Sequence, residues 1–251
     1  MKIAVFSDTH LGYAQYGLAQ RFADFERAFT EAVTKIIEEG ADIAVFAGDL
    51  FNSYSSHPAA KYAAVAQLKR LHEQGVPVYA IAGNHDMPKV FRYGRQVELD
   101  ALERAGLLRL LTPKGVELGG VVIKGMNYLP EDKDIRDKLL SLRPEPSRFN
   151  VLVIHQTVPG AFEHARPENV PSVDEILSLG FDVVICGHIH NAFVKRRGNQ
   201  VFLVPGKPQE LIVAISRYEG TVYRRFDVRS IKRPKDSSNM TVSYTHLTLP
   251  T

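Results

Sequence analysis

The sequence predicts an α/β protein with two packed β-sheets, and three observations support this fold class. First, strand-like and helix-like stretches alternate over the first third of the 251-residue chain. Second, the later strand-like stretches are closely spaced and mostly lack helices between them, which favours a second, more antiparallel sheet packed on the first. Third, several strands end in polar residues, where α/β proteins build their sites.

Two strand and helix units and a third strand open the chain. Both predicted helices are stopped by a glycine, Gly40 and Gly75. This alternation argues for parallel strands joined by right-handed crossovers. The predicted elements are, in order, a strand from Lys2 to Phe6, an amphipathic helix from Arg21 to Glu39, a strand from Ile43 to Phe46, a helix from Ala59 to Glu73 and a strand from Val78 to Ile81.

The rest of the chain is richer in strands than in helices. Helical stretches are predicted near Val97 to Ala105, Asp132 to Leu142 and Val173 to Leu179. Between and after them, runs rich in valine and isoleucine predict further strands. These strands are Gly120 to Lys124, Val151 to His155, Val183 to Cys186, Val201 to Val204, Leu211 to Ile215 and Thr221 to Val228.

Residues 1-228 are expected to form one domain, because a chain with 45% hydrophobic residues and this length can bury a large core. Residues 229-251 differ. A polar stretch from Arg233 to Ser238 precedes a segment, Asn239 to Thr251, that contains no Asp, Glu, Lys or Arg. We expect a linker followed by a truncated or foreign tail; an ordinary disordered terminus is the alternative.

Composition narrows the class of protein. The single cysteine, Cys186, excludes an internal disulfide and fits a reducing compartment. The apolar run from Ile3 to Phe6 is cut by Asp8 and is too short for a signal peptide or a membrane span. The net charge of +3 is weak evidence for any partner. We therefore expect a cytoplasmic protein without a membrane segment.

One acid stands at the centre of the predicted site. The apolar run Val45-Phe46-Ala47 is followed by Gly48-Asp49, so a buried strand is expected to deliver the Asp49 carboxylate to the carboxyl edge of a sheet. Such a buried acid needs partners. Other strand ends supply them, and we interpret Asp49 as a bridge between two metal ions.

Two further strand ends carry paired ligand types. Asp8 and His10 are two residues apart, as are His188 and His190, so each pair shares a face if its strand continues. A carboxylate and an imidazole that converge can hold one divalent ion. Alone, an Asp and a His at a strand end more often lie in water or cap a helix. The two histidines after a glycine turn are more specific, although a surface loop could also carry them. The residue between the two histidines, Ile189, is expected to face the core.

The remaining candidates follow two other strands. Gly83 allows a sharp turn, after which an Asn84 amide oxygen can ligate a metal and His85 can act as a general acid, with Asp86 fixing its tautomer and raising its basicity. His155 ends the next apolar strand. Each motif alone is more often a polar turn or a satisfied histidine. Ligand types at five strand ends around one edge are what favour a metal site.

The complete order Asp-x-His, Gly-Asp, Gly-Asn-His-Asp, a lone His and Gly-His-x-His resembles the calcineurin-like metallophosphoesterases over roughly residues 1 to 228. Finer features resemble the nuclease subunit of the DNA double-strand-break repair complex, of the meiotic-recombination-eleven and SbcD type. These features are Leu11-Gly12-Tyr13, Gln15, Arg21, Leu50-Phe51, Val204-Pro205-Gly206 and Glu210.

The resemblance implies a four-layer α/β/β/α sandwich with two mixed β-sheets for residues 1-228. It implies two metal ions that share Asp49, with three further ligands each. These sets are Asp8, His10 and His190 for the first ion, and Asn84, His155 and His188 for the second. Manganese is the activating ion that the resemblance implies, although mixed nitrogen and oxygen ligands suit manganese, iron or zinc almost equally.

The resemblance also implies DNA cleavage, as exonuclease and endonuclease, in double-strand-break repair. Two ions roughly 4 Å apart can activate water and clamp the phosphate, and His85 with Asp86 would complete the catalytic group. Implied partners are DNA, an SbcC-like coiled-coil ATPase subunit and a second copy in a homodimer. The dimer would form through Ala59 to Glu73 and the segment after Asp86. The cap domain and the ATPase-binding segment of the family are expected to be missing here.

One residue departs from the nuclease pattern. The residue after Gly-Asp-Leu-Phe is commonly histidine in this family, and here it is Asn52. This puts the rate and the substrate detail in doubt. His57 lies in the same predicted loop and could substitute, although an exposed loop histidine without a role is the plainer interpretation.

DNA contacts are predicted from basic and aromatic residues beside these motifs. Basic side chains could reach phosphates, and tyrosine rings could stack on splayed bases. Each is more often an ordinary solvated residue. The candidates are Lys89, Arg92, Arg95, Lys195, Arg196 and Arg197 for phosphates, and Tyr16, Tyr54 and Tyr93 for bases.

Two other functions remain as alternatives. One is a phosphoesterase of the same superfamily that acts on a nucleotide or small phosphodiester; Leu11-Gly12-Tyr13 and the later basic turns argue against it. The other is a catalytically silent metal-binding scaffold. A scaffold usually lacks some ligands or the acid, whereas this chain keeps all of them, including His85.

Overall fold

The computed structural model describes residues 1–88, 97–130, 134–162, 169–206, 212–217 and 221–226. Within them the chain forms two six-stranded sheets and five α-helices. The elements in chain order are β1 (Lys2–Phe6), α1 (Ala19–Glu38), β2 (Ile43–Phe46), α2 (Pro58–Glu73), β3 (Val78–Ala80), α3 (Val97–Arg104), β4 (Arg109–Leu110), β5 (Val116–Leu118), β6 (Val121–Gly125), α4 (Ile135–Leu140), β7 (Phe149–His155), α5 (Val173–Leu177), β8 (Val183–Gly187), β9 (Phe193–Arg197), β10 (Gln200–Val204), β11 (Ile212–Arg217) and β12 (Thr221–Phe226).

The first sheet has the strand order β12-β11-β1-β2-β3-β4. Strands β1, β2 and β3 are parallel, as predicted from the alternation of strands and helices, and the short strand β4, which is not among the predicted strands, is parallel to β3. Strand β11 returns from the end of the described chain and pairs antiparallel with β1 and with β12. The late strands therefore complete the first sheet, rather than joining the second.

The second sheet has the order β5-β6-β7-β8-β10-β9 and corrects the expectation of a more antiparallel sheet. Its four inner strands, β6, β7, β8 and β10, are parallel, and only the edge strands β5 and β9 are antiparallel. The connection from β6 to β7 contains α4 and that from β7 to β8 contains α5, although both helices are short, and β8 is joined to β10 through the edge strand β9. Both sheets are mixed, as the resemblance implies.

Strand alternation divides the apolar residues into layers. In β1, Ile3 and Val5 face the gap between the sheets, whereas Ala4 and Phe6 pack under the outer helices. The second sheet does the same, with Val153 inward and Ile154 outward. Helices α1 and α2 cover the first sheet, and α4 and α5 cover the second. This is the predicted four-layer α/β/β/α sandwich.

The helix boundaries have local causes. Gly40 follows α1 with a φ of 60°, and its N–H donates to the Ile37 carbonyl at 3.0 Å, closing the helix in a turn that glycine adopts readily. Helix α2 begins at Pro58, whose missing N–H costs nothing in a first turn. No helix in the described ranges has both the length and the apolarity to cross a membrane. The tail at 229-251 lies outside them.

Candidate metal centre

Ligand-type side chains from five strand ends meet at one edge of the sandwich. Strands β1, β2 and β3 of the first sheet and β7 and β8 of the second deliver them. The sequence-predicted ligands gather there in two groups around Asp49. The groups are Asp8, His10 and His190 on one side, and Asn84, His155 and His188 on the other.

The first group brings the Nε2 atoms of two imidazoles together, with the rings inclined at 72°. The Nε2 atoms of His10 and His190 are 3.1 Å apart, and His190 Nε2 is 3.8 Å from Asp8 Oδ1. Two neutral imidazole lone pairs at this distance repel unless a proton or a cation lies between them. With a carboxylate beside them, the three side chains suit a divalent cation.

The second group converges on the amide of Asn84. Its Oδ1 lies 2.9 Å from His188 Nδ1 and 3.2 Å from His155 Nε2. The other ring nitrogen of His155, Nδ1, contacts the Ala47 carbonyl at 2.7 Å. That contact fixes the ring so that Nε2 points into the site, an arrangement seen for metal-ligating histidines.

Asp49 lies between the two groups. Its Oδ2 is 3.3 Å from His155 Nε2 in the second group and 3.8 Å from His10 Nε2 in the first. Its Oδ1 accepts the His85 backbone N–H at 2.8 Å. The carboxylate is thus held by the main chain in the position that a bridging ligand needs.

Strained backbone, and not continued strands, brings these side chains together. Strand β1 ends at Phe6 and β8 ends at Gly187, so the predicted sharing of a strand face is wrong as a mechanism. Four of the site residues instead have left-handed backbones, a conformation that non-glycine residues adopt at a cost and that clusters at functional sites. They are Asp8 (φ 54°), His10 (φ 44°), Asp49 (φ 60°) and His188 (φ 83°).

The glycine before Asn84 permits close packing. A Cβ built on Gly83 would collide with the Oδ1 and backbone N of Asp49. Gly83 is therefore required less for its turn than for the approach of the β3 loop to the β2 loop.

Asp86 has a different role from the predicted one. Its Oδ2 accepts the backbone N–H groups of Asp49 at 2.8 Å, Gly83 at 3.0 Å and Leu50 at 3.3 Å, and its Oδ1 accepts that of Phe51 at 3.0 Å. The side chain is buried. Asp86 thus ties together the loops that carry the candidate ligands, whereas the prediction had it fixing the tautomer of His85.

His85 hydrogen-bonds to the main chain of Asn52, the residue that departs from the nuclease pattern. His85 Nδ1 lies 2.7 Å from the Asn52 carbonyl oxygen, so it donates its proton there and leaves Nε2 for chemistry. The His85 ring is edge-on to His10, with 4.8 Å between centroids. Because the acceptor is a backbone atom, this contact does not depend on the Asn52 side chain.

Burial sets the charge of the ligands in the metal-free protein. Desolvation lowers the pKa of His10 to about 3 and that of His188 to about 4, so both are neutral imidazoles with a free lone pair. Desolvation also raises the pKa of Asp8 to about 6.

The His155 and Asp49 pair behaves differently. Burial lowers the pKa of His155, but the charge and hydrogen bond of Asp49, the charge of Asp8 and the Ala47 carbonyl together outweigh burial and raise that pKa to about 9. Burial opposes ionisation of Asp49 as well, yet His155 and His10 hold its pKa below the usual range. A metal that binds His155 must therefore displace a proton.

Two of the predicted peripheral residues make contacts of their own. His57 caps α2 by accepting the Ala59 N–H at 3.2 Å, and its ring packs against Phe22, which supports the plainer interpretation. Lys195 on β9 forms an exposed ion pair with Asp174 at 2.8 Å. The predicted phosphate contacts Lys89, Arg92 and Arg95 lie outside the described residues.

Sequence reasoning missed two residues beside the second group. The loop after β6 carries Asn127 and Tyr128, and the Tyr128 ring packs against the rings of His188 and His155. The signal that could have found them is their position at the carboxyl end of β6, a strand that is parallel to β7.

The donor set fits two divalent cations. Asp8 and Asp49 supply carboxylates, Asn84 an amide oxygen and four histidines supply ring nitrogens, all directed at one small volume. Within each cluster of titratable ligands, the donor atoms lie within 4.8 Å of one another. Oxygen and imidazole ligands together exclude a structural thiolate zinc site and suit borderline cations.

The two-sheet fold, with the candidate metal centre at the ends of its strands, is that of a phosphoesterase. A family model described as calcineurin-like phosphoesterase matches residues 1–192, and the chain belongs to this family. Relatives named DNA double-strand break repair protein Mre11 narrow the resemblance. The chain is 33% identical to the one from Saccharolobus solfataricus over 83% of its own length, and 30% identical to the one from Sulfurisphaera tokodaii over 84%.

The nuclease resemblance predicted from the motifs is thereby confirmed. The chain spans about half of these relatives, 54% of each, and 66% of the Mre11 from Methanococcus maripaludis, to which it is 29% identical over 93% of its length. The relatives therefore extend beyond the segment that this chain matches.

Solved structures support the fold alone. A putative 5'-nucleotidase from Staphylococcus aureus matches with a TM-score of 0.56 and 14% identity, covering 90% of this chain and 53% of that one. A dimetal phosphatase from Danio rerio matches with a TM-score of 0.53 and 12% identity, covering 91% and 96%. Both similarities are to the sandwich and not to a substrate.

Proposed function

We propose that this chain is the nuclease part of a DNA double-strand-break repair protein and hydrolyses phosphodiester bonds in DNA as exonuclease and endonuclease. The observation that carries the proposal is the pair of ligand groups that meet at Asp49. A single-ion site would not need ligands on both sides of one carboxylate. The relatives named Mre11 supply the substrate class.

Two divalent cations would bind here, one held by Asp8, His10 and His190, the other by Asn84, His155 and His188, with Asp49 shared. When bound, such ions activate water and neutralise the phosphate oxygens. We favour manganese, since the resemblance points to it and the nitrogen and oxygen ligands accept it.

The reaction forms a bond from a water oxygen to phosphorus and breaks the bond from phosphorus to the leaving oxygen. His85 would carry a proton on each ring nitrogen: the Nδ1 proton is held by the Asn52 carbonyl at 2.7 Å, and the Nε2 proton would pass to the leaving oxygen. The attacking water would release one proton to solvent. Asp86 acts indirectly, since its four accepted N–H groups fix the Asp49 loop and the Gly83 turn.

The expected partners follow from the resemblance to Mre11-named proteins. They are DNA, a coiled-coil ATPase of the SbcC type and a second copy of the chain. The exposed Tyr62 and Val65 on α2, which are 78% and 41% accessible, lie on the helix that we propose for the dimer. A cytoplasmic location remains a proposal, as do DNA contacts from Lys89, Arg92, Arg95 and Lys195.

The test is cleavage of an end-labelled DNA duplex and a single strand with manganese, magnesium or chelator. We expect nucleolysis with manganese that chelator abolishes. Asp49→Asn should abolish it as well, while Asp174→Asn, which only releases Lys195 at the surface, should not. Turnover of bis-(p-nitrophenyl) phosphate without DNA cleavage would instead indicate a small-diester phosphoesterase.

A further inference from the structure

Asn127 and Tyr128, outside the predicted ligand set, bridge the two sheets at the metal edge. Ala82 follows β3 of the first sheet, and both residues follow β6 of the second. The Ala82 N–H donates to Asn127 Oδ1 at 2.9 Å, and the Ala82 carbonyl accepts the Tyr128 N–H at 2.8 Å. Ala82 is fully buried, so these contacts satisfy both of its main-chain groups.

The bridge lies directly beside one half of the metal centre. Ala82 is two residues before Asn84, whose amide oxygen contacts His188 and His155. Movement of the Ala82 backbone would therefore move the Asn84 ligand relative to the two imidazoles of the second sheet. Asn127 holds that distance by a side-chain contact across the sheets.

The Tyr128 ring acts on the imidazoles themselves. It lies 5.9 Å from the His188 ring with a tilt of 33°, and 6.2 Å from the His155 ring at 80°. Both separations are typical of packed aromatic pairs. A ring laid along His188 restricts rotation of the imidazole, which fixes where its Nδ1 points. His188 needs such support because its backbone is strained at a φ of 83°.

We propose that Asn127 and Tyr128 are positioning residues for the half of the centre formed by Asn84, His155 and His188. This inference rests on the proposed two-ion function of the site. The Tyr128 ring contacts His188 and His155, and Asn127 contacts Ala82, two residues before Asn84. The half formed by Asp8, His10 and His190 is built by the loops after β1 and β8. Loss of either residue should therefore weaken one metal site and spare the other.

The test is manganese binding to the full chain, measured by titration calorimetry with the bound metal per chain determined by atomic absorption. In Asn127→Ala and in Tyr128→Leu, we expect one binding event with wild-type affinity and the other weakened about tenfold or more, as for other residues that orient metal ligands. Asn127→Asp keeps the acceptor and Tyr128→Phe keeps the ring, so both should retain two events.

Two results would overturn the proposal: both events unchanged in Asn127→Ala and Tyr128→Leu, or both weakened equally together with a lower melting temperature. Circular dichroism checks folding, and if one variant is unfolded the other decides. DNA cleavage is a separate readout. If the two variants lose one binding event selectively but the wild-type chain cleaves no DNA, the proposed function is contradicted and the positioning role stands.

Discussion

At the scale of single residues, the centre depends on carboxylates with different tasks. Asp49 contacts candidate ligands of both groups. The hydrogen bonds of Asp86 within the described residues come instead from main-chain N–H groups. Its contacts resemble the way an anion is held by a nest of amides. Two neighbouring residues of one motif therefore have separate roles: His85 is proposed to take part in the reaction, and Asp86 holds the loops in place.

Replacing Asp86 tests the architectural task. Asp86→Leu leaves buried N–H donors of Asp49, Leu50, Phe51 and Gly83 without a partner, which we expect to cost about 1–3 kcal/mol per unsatisfied donor, with Asp86→Asn losing less. Urea unfolding and exchange of these amides measure it. Asp182→Asn is the control, because the Asp182 carboxylate accepts a backbone N–H from Asn150 near the starts of β7 and β8, at the opposite end of these strands from the candidate site. Unchanged amide exchange in Asp86→Leu would refute the role.

Replacing His85 tests the chemical task. His85→Ala should bind metal as the wild type does and cleave DNA roughly 100- to 10,000-fold more slowly, as is usual for a lost general acid. Single-turnover cleavage and calorimetric metal titration separate the two effects. In the control Asn52→Ala the main-chain acceptor of His85 remains, so cleavage should persist. If His85→Ala loses metal along with activity, then His85 is a ligand and the assigned role is wrong.

At the scale of elements, the ends of parallel strands decide the site. The loops after β1 and β2 are joined by backbone hydrogen bonds, from Asp8 N–H to the Gly48 carbonyl at 2.9 Å and from His10 N–H to the Asp49 carbonyl at 3.1 Å. These bonds continue the pairing of the strands beyond their ends. They hold residues with left-handed backbones in place, so that each loop stabilises the strained backbone of the other.

Two glycines at element ends should respond differently to alanine. Gly83→Ala places a Cβ against the Asp49 carboxylate and backbone, so we expect loss of metal binding and of cleavage. Gly40→Ala, after α1, meets no atom within 4 Å and has only its φ of 60° to accommodate, at a cost of about 1–2 kcal/mol. Thermal melting and metal titration of both variants check this. Normal metal binding by Gly83→Ala would show that the loops can separate.

At the scale of the whole molecule, the centre links the two sheets. Asp8, His10, Asp49 and Asn84 come from the first sheet, and His155, His188 and His190 from the second. Cations held between these side chains would bind only the packed sandwich, since an unfolded chain does not bring the two sets together. Metal binding should therefore stabilise the entire fold.

Metal removal tests this linkage. A ligand at about 100 times its dissociation constant adds about 2.7 kcal/mol of stability per site, so we expect the melting temperature to fall when chelator is added. Asp49→Asn should abolish the metal-dependent shift because it removes the shared ligand. Lys195→Ala, which breaks only an exposed ion pair, should keep it. If chelator leaves the melting temperature of the wild type unchanged, the proposal of a metal centre that links the two sheets is contradicted.

The sequence alone determined the fold class, the parallel direction of β1, β2 and β3, and the side chains that meet at one edge of the sandwich. These features are local, since strand periodicity, glycine stops and ligand types at strand ends are readable within short windows. The boundaries of β1 and β2 match the prediction at both ends. The candidate ligands were predicted from the order of all the motifs together, because a single pair such as His188 and His190 is not specific for a metal site.

Only the tertiary structure decided which strands pair and what each polar atom contacts. Strand direction in the second sheet depends on crossovers, which short helices such as α5 can make without a strong sequence pattern. The tasks of Asp86, Asn127 and Tyr128 depend on backbone groups contributed by other loops, Ala82 and Asp49 among them. Such contacts join residues distant in sequence, and a buried donor takes whichever acceptor the packed sandwich brings to it.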